Sequence, residues 1–465
     1  MTKLICRAWR AQQGGEAESM SSSLARTSAG TAAEGKERGR VSEEAERFKI
    51  KQVFTGDPWI DAGVVALWDY IESQEIQNTE VEINRKNYAI TAPSPDQIEN
   101  FLKKIFEKIK NERYIQSAKN KVCIYNNEKD DFEIVPKINL VNVVNALFSG
   151  GDLKPKYQKC DFPKNKQGIW DNIRDSYEEQ KDKIDFKIDD KGRIYCSRPQ
   201  YNWPYQPNFN PERKEICTFC GSPFATSNIH SNNYPFLVPV KNWSNFYSNL
   251  SLDLKMCSLC EAASLFAINR IFFNINRRKK TLFMAIPHAS SLDEIEEFWK
   301  DVRGIIEERR LSDSSNIFEG GYKYQYLNET ILAFSYELCR SLKETVDASK
   351  RLNVASTKIW YFFLGSISGK SVSFKNNTVF DEMSRLFKLY ESLENQGINF
   401  MSMFSNLVVK EGDNDYNNFY REAFSERIIK NAPLNEIAEK IMYKKGEKIM
   451  NFARFVKLYN IGRYS

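Results

Sequence analysis

Histidine is almost missing from this chain: His230 and His288 are the two imidazoles among 465 residues. Neither belongs to an HExxH or HD pair, so the familiar histidine-based hydrolase signatures are excluded. Long apolar runs are missing as well. No stretch reaches about eighteen apolar residues, and the nearest, "EAASLFAINRIFFNIN", is broken by Asn269 and Arg270, so no membrane span is expected. The start, "MTKLICRAWRAQQGG", carries charges but lacks an apolar core of about seven residues, so no secretory signal is expected. A large excess of either charge is also missing. Lys and Arg total 67 against 61 Asp and Glu, a net +6 that does not by itself announce a nucleic-acid binder. The excess is uneven, since residues 430–465 hold eight Lys or Arg against three Glu. That asymmetry predicts an anionic partner near the C-terminal end.

What is present describes a folded chain of two or three domains, 42% hydrophobic and 28% charged. Nine cysteines without an export signal imply a reducing, cytoplasmic compartment, and the odd count argues against a closed set of disulfides. The first 47 residues stand apart, with eight Ala, five Gly and a serine-rich run but no Asn and no Tyr. Such a segment buries too little apolar surface to order itself, and residues 1–47 are expected to be a disordered extension.

The ordered chain is predicted to be α+β: a mixed N-terminal region, a zinc-knuckle insertion and a helical C-terminal domain. In "FKIKQVFTGDPWIDAGVVALWDYI", residues 48–54 suit a strand, Asp57 suits a helix N-cap and Pro58 the first helical position. "SPDQIENFLKKIFEKIKNERY" is amphipathic, "KVCIYNNEKDDFEIVP" reads as a hairpin, and "INLVNVVNALFSGGD" as a short helix ending at Gly150–Gly151. A polar stretch closes the N-terminal region (48–212) with "RPQYNWPYQPNFNPERK", which reads as an extended connector or as a strap lying on a surface. The cysteine region (213–288) includes an expected apolar helix at 261–276, the basic tetrad "RRKK" and the strand "TLFMAIPH". An α/β region (289–375) holds two helices and the hairpin "TKIWYFFLGSISGKSVSF", and from about 376 to 465 the pattern is helical.

Cys217, Cys220, Cys257 and Cys260 form CxxC–x36–CxxC. Two thiolates three positions apart fit a tight knuckle, and two knuckles supply the four ligands of a tetrahedral Zn²⁺. A closed all-thiolate shell leaves no open position, so the site is expected to be structural. The spacer exceeds the common length of about 15–20 residues, which predicts an inserted subdomain. His230 reads as a loop residue, and Cys6, Cys123, Cys160, Cys196 and Cys339 show no pairing pattern.

Enzyme signals fail. "LGSISGKS" comes close to a phosphate-binding loop, but Gly365 and Gly369 enclose three residues where four are needed, and no apolar helix follows. Neither serine nor cysteine has an evident base nearby in sequence. No catalytic residue is assigned.

"TGDPWIDAGVVAL" at 55–67 together with the double CxxC resembles the CXXC–CXXC family of CRISPR-associated proteins, large subunits of type I Cascade complexes of subtypes I-A and I-B. The likeness covers roughly residues 50–465 in layout, and the preface before it departs from the pattern. The resemblance implies a non-catalytic subunit that takes part in protospacer-adjacent-motif recognition and R-loop formation. Its implied partners are the other Cascade subunits, crRNA, target double-stranded DNA and a separate helicase–nuclease, with no membrane. Candidate phosphate-binding residues are Arg277, Arg278, Lys279 and Lys280 of the tetrad, with Lys444 and Lys445 near the C-terminus. The rival readings are a zinc-stapled assembly adaptor that avoids nucleic acid, and an enzyme. "TGDPWIDAG" itself reads as no more than a helix start.

Overall fold

A computed structural model describes residues 47–73, 80–113, 121–126, 131–136, 157–160, 175–188, 194–197, 205–209, 215–229, 233–236, 254–276, 280–309, 324–345, 358–368, 371–411, 415–417, 419–445 and 449–462. The preface expected to be disordered, the helix expected before Gly150, His230 and most of the polar connector lie outside the described residues.

Strand β1 (Phe48–Lys51) turns Ile50 inward and Lys49 and Lys51 outward, the alternation of a strand with one buried face. Helix α1 (Pro58–Ser73) follows, with every residue from Trp59 to Trp68 buried. A helix apolar on all sides belongs in the middle of a core, and α1 is the axis around which this one is built. β2 (Glu82–Asn84) and β3 (Ala89–Ala92) complete a three-stranded antiparallel sheet in the order β1-β3-β2. Amphipathic α2 (Pro95–Arg113) buries Ile98, Phe101, Leu102, Ile105 and Phe106.

The predicted hairpin forms from β4 (Lys121–Asn126) and β5 (Asp131–Pro136), which pair from Lys121↔Pro136 to Asn126↔Asp131. With β6 (Tyr157–Cys160), β7 (Ile184–Ile188) and β8 (Ile194–Ser197) it makes a five-stranded sheet ordered β5-β4-β7-β8-β6. Of the strap, residues 205–209 are described, and they are wedged in rather than laid on a surface. Tyr205 and Phe209 are buried, Tyr205 Oη donates to Ser258 O at 3.0 Å, and Phe209 N donates to Glu99 Oε1 at 2.6 Å.

A two-stranded ribbon, β9 (Ala225–Asn228) and β10 (Lys255–Cys257), leads into α3 (Ser258–Phe266). The helix expected over 261–276 is therefore shorter. α3 ends at Phe266, a 3-10 turn covers Ala267–Arg270, and Phe272–Asn276 is strand β11. An apolar run of this length is ambiguous between helix and strand by periodicity alone. Pairing of β11 with β12 (Thr281–His288), from Phe272↔Ala285 to Asn276↔Thr281, decides it.

Helices α4 (Leu292–Arg309) and α5 (Leu327–Thr345) separate β12 from the predicted hairpin of β13 (Ile359–Ser368) and β14 (Ser371–Phe380), giving the antiparallel order β11-β12-β13-β14. β12 and β13 pair from Thr281↔Ser366 to His288↔Ile359. The C-terminal region is helical after β14: α6 (Met383–Asn395), α7 (Phe400–Ser405), α8 (Phe419–Ile429), α9 (Asn435–Lys445) and α10 (Phe452–Gly462). A small hairpin, β15 (Val409–Glu411) with β16 (Asp415–Asn417), interrupts the expected unbroken helical pattern. The α+β class with a helical C-terminal region is borne out. One hydrophobic cluster runs from Ile50 to Tyr459 and draws side chains from every predicted region after residue 47.

Two contacts tie this core together. The first is a close approach of backbones: a Cβ added to Gly63 of α1 would lie 1.9 Å from the Ala263 carbonyl oxygen of α3. The second is a buried ion pair. Arg421 Nε of α8 lies 2.6 Å from Glu329 Oε2 of α5, with the guanidinium over the rings of Tyr324 and Phe404. Glu422 of α8 also accepts the backbone N–H of Asn328 and Glu329, so a neighbouring helix caps the start of α5.

Gly63→Ala is expected to destabilise the protein by about 1–3 kcal/mol or more, because the clashing atoms are backbone and cannot rotate away. Urea unfolding of the variant checks this. A midpoint equal to the parent's would mean that α1 and α3 separate without loss.

Candidate metal centre and its surroundings

The four predicted cysteines converge, their Sγ atoms all within 4.8 Å of one another. Local backbone chemistry builds each half. In the first knuckle, Cys217 N donates to Ser222 O at 2.8 Å and Gly221 N to Cys217 O at 3.0 Å. Gly221 adopts φ +71°, a conformation a side chain would strain, which is why glycine stands behind the second thiol. Thr218 N donates to Lys255 O at 2.9 Å and pins the knuckle against β10. The second half straddles a strand–helix junction. Cys257 ends β10 and caps α3, accepting from Cys260 N at 3.5 Å.

Cys220 Sγ and Cys257 Sγ are 3.6 Å apart. A Zn–S distance of about 2.3 Å gives a tetrahedron with sulfur–sulfur edges of about 3.8 Å. A disulfide needs about 2 Å. The set therefore fits a tetrahedrally bound ion and is compatible with zinc, and all four cysteines are free thiols. Three are buried and Cys220 is half-buried. Hydrogen bonds from Cys220, Cys257 and Cys260 hold the Cys217 thiol well below the usual range. Contacts with Cys217, Cys220 and Cys257, reinforced by burial, push the Cys260 thiol well above it. Four sulfurs this close cannot all be anionic without a cation between them, and a divalent ion would supply that charge.

The two stretches that carried the family resemblance meet here. Trp59 Nε1 donates to Ser264 O at 3.0 Å and to Ser264 Oγ at 2.9 Å, in the helix that begins with Cys257 and Cys260. "TGDPWIDAG" is thus more than a helix start. Asp57 Oδ1 caps α1 through Ile60 N at 2.8 Å, and Trp59 and Gly63 fasten α1 to α3. Asp61, fully buried, accepts from Thr55 N and Thr55 Oγ1 at 2.8 Å and from Gly56 N at 2.9 Å.

Asp61 also receives His288 Nε2 at 3.0 Å, and the imidazole stacks on Phe54 with Tyr361 edge-on. Beside it Tyr234 Oη donates to Asp57 Oδ2 at 2.6 Å. Sequence reasoning missed this polar cluster, whose members lie 227 and 177 positions apart along the chain. The available signals were the Asp57–Asp61 spacing and the scarcity of histidine. Burial pushes the Asp57 carboxyl above the usual carboxylate range, against the hydrogen bonds from Tyr234 and Ile60 N.

Other predicted residues are placed as follows. Lys280 sits in the β11–β12 turn, exposed at φ +51°, its carbonyl accepting from Ile367 N. Arg277, Arg278 and Lys279 lie outside the described residues. Lys444 and Lys445 end α9, the first exposed and the second half-buried. Lys280 and the Lys444–Lys445 pair therefore belong to separate elements. Gly365 lies inside β13, paired with Leu282 and Phe374, and not in a strand-to-helix loop. Cys123 of β4 and Cys196 of β8, which show no pairing pattern in the sequence, have Sγ atoms 3.8 Å apart. Among the described residues no helix is long and apolar enough to cross a membrane.

No family model matches this chain, and no curated protein matches it either.

Replacing Cys217 and Cys220 together by Ser is expected to abolish metal uptake, from about one ion per chain, and to lower the melting temperature. Metal analysis and thermal unfolding check both, and full stability in a metal-free variant would reject a metal staple.

Asp57 gives a pH prediction. In the unfolded chain it ionises near pH 4, and in the folded protein at higher pH. Its contribution to stability is therefore full below about pH 4 and is lost as pH rises through the folded value. Asp57→Asn keeps a capping oxygen and removes that loss. Its melting temperature relative to the parent should rise between about pH 4 and pH 7, and a constant difference would count against the shift.

Proposed function

We propose that the chain is the large subunit of a type I CRISPR Cascade surveillance complex. It binds target DNA without cutting it, and its four thiolates hold a structural Zn²⁺. The observation that carries this reading is the packing of α1 on α3. Gly63 and Trp59 of the first quoted stretch pack on Ala263 and Ser264 of the helix that carries the second CxxC pair, so the two stretches are brought into one unit.

The zinc is a staple in this reading. Four sulfur ligands leave no open coordination position, so the ion fixes the Cys217–Cys220 knuckle to the β10–α3 junction rather than activating water. Recognition of the protospacer-adjacent motif and R-loop formation take place within the assembly, where crRNA pairing reads the sequence. The other Cascade subunits hold the guide, and a separate helicase–nuclease cuts. The protein works in the cytoplasm.

DNA contacts are assigned to the basic tetrad from Arg277 to Lys280, which lies between β11 and β12 in sequence, and to Lys444 and Lys445. Tyr443, next to these lysines, is 85% exposed. A bare aromatic ring beside two cations suits a single strand, whose bases stack while its phosphates pair.

Affinity purification of the tagged protein from its native cell is expected to co-purify crRNA and partner subunits, and motif-dependent DNA binding should require them. Motif-dependent binding or DNA turnover by the lone chain would overturn the assignment. In the assembled complex, Lys444→Ala with Lys445→Ala should reduce the slope of log affinity against log salt by about 0.7 per lost single-strand contact. Discrimination between motifs should persist, because phosphate contacts position without specifying.

A further inference from the structure

Gln52 lies one residue beyond β1 and is 1% exposed. Its backbone N–H donates to Tyr88 O at 2.9 Å, which fixes it against the end of β3. Its side-chain Nε2 donates to Cys260 Sγ at 3.4 Å, while Oε1 is buried with no hydrogen-bond partner among the described residues. Packing does not account for this amide. A buried acceptor without a donor is disfavoured, and an aliphatic side chain of similar length would fill the same space without that penalty.

The sulfur accounts for it. A metal-bound thiolate carries no hydrogen and accepts hydrogen bonds only. The NH₂ end of the amide must then face Cys260, which leaves the carbonyl end pointing into the core. An N–H···S bond draws electron density from the thiolate, lowers the repulsion among four crowded sulfurs and holds the Cys260 side chain at one position. Outer hydrogen bonds of this kind orient metal ligands and tune their charge.

We propose that Gln52 is a positioning residue of the metal centre, its amide N–H holding the Cys260 thiolate in place to ligate. This rests on the reading of the four cysteines as a Zn²⁺ site. Gln52 also leads directly into the Val53–Gly56 loop, whose backbone is held by Asp61. One residue thus links the thiolate shell to the stretch that opens α1.

The test uses the full chain, with Zn²⁺ affinity measured by competition with a chromophoric chelator. Gln52→Leu removes the donor and keeps the bulk, and Gln52→Glu keeps the shape but turns an acceptor toward the sulfur. Gln52→Leu should bind Zn²⁺ about tenfold or more weakly than the parent, and Gln52→Glu more weakly still. With Co²⁺ in place of Zn²⁺, the sulfur-to-metal charge-transfer band of Gln52→Leu should move to lower energy, because the thiolate has lost its donor. Gln52→Met, unbranched, replaces Gln52→Leu if branching prevents folding. Parent-like Zn²⁺ affinity in the aliphatic variant with an unmoved Co²⁺ band would reduce Gln52 to a filler. A parent chain that takes up neither ion would overturn the metal site itself, and this role with it.

Discussion

The contact of α1 with α3 at Gly63 sets the geometry on which the rest of this protein depends. A missing Cβ lets one helix backbone rest on the carbonyl of the other, at a spacing no other residue permits. α1 is buried from Trp59 to Trp68, so it touches the core on all sides. α3 carries Cys257 at its cap and Cys260 in its first turn. Where α1 goes, the second half of the thiolate cluster goes with it. Trp59 adds a directional constraint, since its indole N–H reaches the Ser264 carbonyl and hydroxyl and fixes how far one helix can slide along the other.

Around this axis the chain manages its buried charge by pairing. Asp61 is fully buried and is acceptable there because loop N–H groups, a hydroxyl and an imidazole all point at it. Arg421 and Glu329 are a second case. Each alone would be strongly unfavourable in the core, yet together, with aromatic faces over the guanidinium and backbone N–H groups on the carboxylate, they join α5 to α8. Buried pairs of this kind add little net stability over apolar packing but tolerate few alternative arrangements.

The thiolate cluster follows the same logic with the largest charge. Two knuckles from distant parts of the chain bring four sulfurs into one small volume, where repulsion forbids full ionisation without a cation. Binding free energy at such a site is folding free energy, because the unfolded chain has no preformed shell. The cluster joins the ribbon, α3 and, through Gln52, the end of β1. A rigid centre of this sort makes a frame from which exposed basic elements can be presented.

Local signals determined a good deal by themselves. The double CxxC spacing was enough to name all four clustered thiols, because a knuckle is a short-range geometry written in adjacent residues. Asp57 and Pro58 marked the start of α1, and the two hairpins were legible from alternating apolar residues and polar turns, for the same reason. Tertiary structure decided what depends on residues far apart. The run at 271–276 became a strand because β12 offers it an edge, and periodicity in so short an apolar run does not distinguish the two. Tyr205 became a wedge once α2 and α3 supplied a slot. His288 looked idle in sequence and found Asp61 only when the sheet brought β12 beside α1. Gly63 looked like one small residue in an apolar helix, and its necessity appeared only with Ala263 pressed against it. Spacing along a chain encodes contacts within a turn or a hairpin, whereas the partner of a buried charge or of a missing Cβ is set by how the elements pack.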